Sequence, residues 1–131
     1  MAFDVEKEIK IFWIVGLIVL IFYGLWLFIS YESYNAIMDG GIYFSPVAGR
    51  IIGAIFIAWL VIMIMLYKKL DNWEKIEEWV LFSVMANILM LIAFIIGIIM
   101  YKILIVGTII AIIVNLFFAV LGIHIIMQKR K

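Results

Sequence analysis

Four long apolar runs, at about Ile11 to Ser30, Ile51 to Tyr67, Trp79 to Met100 and Ile103 to Met127, leave this chain few ways to fold. None of them contains Asp, Glu, Lys or Arg. At 1.5 Å rise per residue, each run comes close to the roughly 30 Å of hydrocarbon that a membrane helix must cross. Of the 131 residues 69% are hydrophobic and 15% charged. A soluble domain carries about 45–50% and about 25%, so the solvent for most of this apolar surface must be lipid. The expected fold is a single all-α transmembrane domain, 1–131, built as an integral membrane four-helix bundle running up-down-up-down.

The third and fourth runs are separated by little more than Tyr101 and Lys102. As one helix they would reach about 75 Å, more than twice the hydrocarbon thickness, so a tight hairpin at Lys102 is the better reading. Gly97 and Gly107 flank that tip, where close backbone approach is useful. Pro46, the only proline, precedes the second run, so helices broken by proline within the bilayer are not signalled.

Orientation follows from the basic residues. Lys7, Lys10, Lys68, Lys69, Lys75, Lys129, Arg130 and Lys131 fall on one side, and Arg50 and Lys102 on the other. Eight against two of the ten predicts both termini on the cytoplasmic side of a cell membrane. Trp13, Trp73 and Trp79 then fall at the inner boundary and Tyr31, Tyr34, Tyr43 and Tyr101 at the outer one, as an aromatic belt would. The acidic and basic N-terminal segment, with no small-residue cleavage site after its apolar run, reads as retained rather than as a removable signal peptide.

Two connections carry polar residues. The inner one, Lys68 to Glu78, reads as a cytoplasmic helical cap or a solvated connector. The outer one, Tyr31 to Val47, holds four aromatics, Glu32, Asp39 and an Asp-Gly-Gly turn signal. It reads as an interfacial hairpin, a short amphipathic helix or a wet linker, and Glu32 and Asp39 are its candidate functional residues.

Lipid offers no hydrogen-bond partners, so polar groups inside a span mark inward faces. Ser83, Asn87, Met90, Phe94 and Gly97 recur at helical spacing in the third span, and Thr108, Ala111, Asn115, Ala119 and Gly122 do nearly the same in the fourth. Counted from a turn at Lys102, Asn87 and Asn115 differ by only about 3 Å in depth and could face each other. Trp59 falls at the depth of Asn87, and its indole N–H needs an acceptor. Two readings stay open for Trp59, Asn87, Asn115 and Tyr23: they line a small ligand cavity, or they are interhelical hydrogen-bond glue. Arg50 opens the second span beside a Gly49/Gly53 close-packing pair that Ala54 and Ala58 continue. It either pairs with headgroups or with Glu32 or Asp39, or serves a ligand or pore.

The chain has no cysteine and one histidine, His124, which removes thiolate chemistry, bis-histidine haem ligation and a histidine metal cluster within one chain. His124 lies half a turn out of phase with Asn115 and is expected to face outward or to the interface. No catalytic set, metal site or phosphate loop is present in the sequence, and a net charge of +1 gives no reason to expect a nucleic-acid partner. No cofactor is expected.

The segment Gly49-Arg50-Ile51-Ile52-Gly53-Ala54, with Asn87 in the third of four spans, resembles the DoxX-like group of small four-helix membrane proteins. The resemblance implies at most a quinone-site or accessory role, with Arg50 as the residue carried over. A non-enzymatic role is therefore the first expectation, as an accessory or assembly subunit or a binder of a lipophilic ligand. A small oligomeric channel or carrier, or a quinone-linked oxidoreductase subunit, are the alternatives. The partners expected are the lipid bilayer and either copies of the chain in a homo-oligomer or a larger membrane complex.

Overall fold

The structure is a computed structural model that describes residues 4–40, 45–101 and 105–131. The described residues form five helices: α1 (Val5–Ile29), α2 (Tyr31–Met38), α3 (Pro46–Tyr67), α4 (Trp73–Tyr101) and α5 (Val106–Lys129). All but α2 are long and apolar enough to cross a membrane. The molecule is thus an all-helical bundle with the build of a multi-pass membrane protein. Tyr43 and Lys102, the latter the expected hairpin tip, lie outside the described residues. The long apolar stretch around them is nevertheless two helices, since α4 ends at Tyr101 and α5 begins at Val106.

Local chemistry sets the helix ends. Asp4 caps α1 by accepting the Glu6 amide at 3.2 Å, and Glu6 and Glu8 in the first turn suit the positive end of the helix dipole. The helix therefore starts at Val5, ahead of the apolar run. Pro46 occupies the first turn of α3, where its missing N–H costs nothing. Gly40, at φ +59°, follows α2 in the left-handed conformation that glycine tolerates best. The inner connection is shorter than expected, because α4 begins at Trp73 and leaves 68–72 between the helices. Ile76 and Val80, one turn apart and fully buried, make the segment after Asn72 the first turns of α4. At 29 residues α4 is about 44 Å long, so it overshoots the hydrocarbon.

The helices associate as two pairs, α1 with α3 and α4 with α5, joined where α1 meets α5. No comparable packing links α3 to α4. The tightest seam is at Gly53, where a Cβ would stand 2.6 Å from the Phe28 amide nitrogen and 3.0 Å from the Gly24 carbonyl oxygen. Gly49 lies beneath the Tyr31 ring. Ala54 and Ala58 are exposed, so the small-residue stripe stops at Gly53. Gly97 faces open space and makes no close approach, whereas Gly107 meets the Met38 carbonyl of α2 rather than α4. The close backbone approach expected near the tip is thus made by Gly107, with α2 as its partner, and not by Gly97.

The core lies where α1 and α4 begin and α3 and α5 end, built on Ile9, Phe12, Trp13, Met63, Ile76, Val80, Phe118 and Ile125. Phe12 meets Phe118 edge-on at 5.2 Å. Trp13 is fully buried and donates its indole N–H to the Met63 carbonyl at 2.8 Å. It is a core hydrogen-bond donor between α1 and α3 rather than a headgroup-facing belt residue, because its position is in phase with Ile9, Phe12 and Gly16 on the buried face of α1.

Gly53→Ala should lower the unfolding temperature in lipid nanodiscs, for a loss of about 1–3 kcal/mol from overpacking. Gly97→Ala, with space around it, should be neutral or slightly stabilising through helix propensity.

Candidate ligand cavity

Because each pair closes on itself, a cavity of about 650 Å³ remains between them. α1 contributes Gly16, Leu20 and Tyr23, α3 contributes Ile52, Phe56 and Trp59, and α4 contributes Ser83, Asn87, Met90, Phe94 and Gly97. Thr108, Ala111 and Asn115 of α5 complete the far wall. The wall is predominantly apolar, with a few polar groups at helical spacing, and the volume falls within the roughly 300–1,000 Å³ usual for small-molecule sites.

Tyr23, Trp59, Asn87 and Asn115 all border this space. The two amides do not bond to each other. Asn87 Nδ2 donates to the Ser83 carbonyl at 2.7 Å and Asn115 Nδ2 donates to the Ala111 carbonyl at 2.6 Å, each within its own helix. This back-bonding four residues upstream satisfies the donors and leaves the side-chain carbonyls over. Asn115 Oδ1 is buried with no hydrogen-bond partner among the described residues. Turning the amide over would set Oδ1 against the Ala111 carbonyl, so the unpaired group is the acceptor. Trp59 bridges instead of bonding: its ring lies 6.0 Å from Trp79 and 5.4 Å from Phe82, tying α3 to α4 beside the core.

The opposite end of the cavity is covered by α2. Trp26 of α1 donates its indole N–H to Ser33 Oγ at 2.7 Å, and the hydroxyls of Ser30 and Ser33 lie 2.8 Å apart. The Ser45 amide donates to the Tyr31 hydroxyl at 3.2 Å, and Met38 rests on Gly107. α2 thus touches α1, α3 and α5 together. Tyr31, Tyr34, Asp39 and Ser45 border the cavity from this side. Burial raises the Asp39 carboxyl above its ordinary range; burial first, and then the charge of Asp39, pushes the Tyr34 hydroxyl up.

Arg50 and Glu32 stand outside the cavity wall and hold each other, Arg50 donating to Glu32 Oε1 at 2.8 Å. That hydrogen bond, foremost, holds the Glu32 carboxyl below its usual range. Of the two acids that could have claimed Arg50, Glu32 has it and Asp39 does not.

One polar residue escapes a reading by span. Glu8 sits in the charged N-terminal segment, yet it is only 7% exposed and its Oε2 lies 3.4 Å from His124 Nε2. The separation is within ion-pair reach and long for a hydrogen bond. His124 is half-exposed and pairs α5 with the start of α1. The signal for Glu8 is its phase, one turn before Phe12 and two before Gly16, both buried.

Neither a protein-family description, a curated protein nor a solved structure matches the chain.

Ser33→Ala should remove the acceptor of the Trp26 indole and loosen α2. The amides of 31–38 should exchange with deuterium faster, by about three- to tenfold for a hydrogen bond worth ~0.5–1.5 kcal/mol, while those of α4 should not change.

Proposed function

We propose that this protein is a non-enzymatic, membrane-embedded binding protein for a lipophilic small molecule, held in the cavity between its two helix pairs. The observation that carries this reading is the cavity itself: about 650 Å³ of mainly apolar space between the helix pairs, whose wall carries Asn115, its Oδ1 unpaired among the described residues, and Asn87, whose donor is spent within its own helix. Left unfilled, an apolar space of this size would forfeit contacts along its walls. An apolar guest restores them, and a guest with an O–H or N–H supplies the donor that Asn87 and Asn115 lack.

The chain crosses a cell membrane four times in alternating directions, with both termini cytoplasmic. Supporting this are the eight-to-two placement of the basic residues and the contacts that set α2 and the termini at opposite ends of the bundle, Tyr31 on Gly49 at one and Glu8 by His124 at the other. The guest enters sideways from the bilayer between α3 and α4, two long helices that meet through Trp59, Trp79 and Phe82 and otherwise pack mainly on other partners. A water-soluble path is not needed for such a ligand.

In nanodiscs, dodecanol should raise the unfolding temperature more than dodecane does. Asn87→Leu should cut dodecanol affinity by about three- to tenfold, the equivalent of one neutral hydrogen bond, and leave dodecane unchanged. Equal effects of the two probes on the wild type, or no effect of either, would remove the cavity reading. Orientation is tested separately: this chain lacks cysteine, so Ala36→Cys should react with an impermeant thiol reagent in intact cells and Lys131→Cys should react only after lysis.

A further inference from the structure

The α2 end of the cavity differs from the rest in charge. Among the described residues that line the cavity, Asp39 is the one Asp, Glu, Lys or Arg. Its carboxylate has no ion pair and accepts no hydrogen bond from another described residue, because Arg50 is committed to Glu32 at 2.8 Å. Three tyrosines share the cavity wall with it. Tyr31 and Tyr34 are stacked at 6.5 Å with their planes 24° apart, and Tyr34 meets Tyr23 edge-on at 6.1 Å. Aromatic faces attract cations, and a carboxylate next to apolar walls does so more strongly than in water. No described basic residue lines the cavity to receive a phosphate or a fatty acid.

We propose that Asp39, with the ring of Tyr34, is the head-group subsite for a lipophilic monocation, a quaternary ammonium or phosphonium, whose apolar body extends into the cavity between the helix pairs. This rests on the cavity being a ligand site and adds the class of ligand. The half-buried position of Asp39, which raises its proton affinity in the empty protein, is relieved when a cation sits beside it. A phospholipid with an amine head group carries its own phosphate, which Asp39 would repel, so the ligand is a free amphiphilic cation and not a zwitterionic lipid.

The test uses the full chain in neutral nanodiscs, with tetraphenylphosphonium as the cationic probe and triphenylphosphine oxide as the neutral one, followed by titration calorimetry. The wild type should bind both. Asp39→Asn should weaken phosphonium binding by about tenfold or more, as loss of a partly desolvated charge pair requires, and leave the phosphine oxide unchanged. Asp39→Glu should keep the preference, which separates loss of charge from a disturbed α2. Phosphatidylethanolamine added to the discs should not displace the phosphonium; if it does, the subsite belongs to a lipid head group and the proposal fails. Unchanged phosphonium binding in Asp39→Asn, with both probes still bound, overturns the cation subsite and leaves the cavity reading standing. Failure of both probes to bind the wild type overturns both.

Discussion

The contact of α3 with α1 at Gly53 sets the plan of the molecule. Lipid gives apolar helices no reason to prefer one another over solvent, so association must come from close packing and from hydrogen bonds made between helices. Gly53 supplies the first by letting the α3 backbone lie against Gly24 and Phe28, and Trp13 supplies the second by donating to Met63 further along the same interface. With α3 committed to α1 in this way, and α4 committed to α5, the remaining space falls between the pairs. The cavity is a consequence of which helices hold each other.

Much of this was legible in the sequence, because the physics that writes it is local. Lipid demands long apolar runs, and four long apolar helices follow from them. Polar residues within those runs are few, so Tyr23, Trp59, Asn87 and Asn115 stand out, and the structure sets all four around one cavity. The cavity is not legible, since it depends on the pairing of helices distant in the chain, and the apolar residues around it would read the same in a closed bundle. The same limit explains the two amides. Depth along the axis predicts that they are near each other, but their donors turn to the carbonyl four residues back, a choice made by side-chain rotation within each helix.

Charges were harder to read than apolar residues. Glu8 lies in a segment that reads as solvated, and only its phase with Phe12 and Gly16 marks it as buried. Arg50 had two acids within plausible reach, and sequence spacing does not choose between them. The structure does, and the choice matters because it leaves Asp39, on the cavity wall, without an ion pair among the described residues. Trp13 shows the reverse error, since tryptophan near a membrane boundary suggests an anchor in the headgroups, while its place on the packed face of α1 makes it part of the core.

The pairing of Glu8 with His124 bears on how the chain comes to be built. Glu8 is in the first helix and its partner is in the last, so the carboxylate enters its apolar setting before the residue that meets it has been made. The contacts of α1 with α3 and of α4 with α5 can form as each helix is inserted, whereas this one must await α5. Until then the first turn of α1 has reason to stay in water, at the membrane surface. This end of the bundle is therefore sealed last, by a contact between α1 and α5.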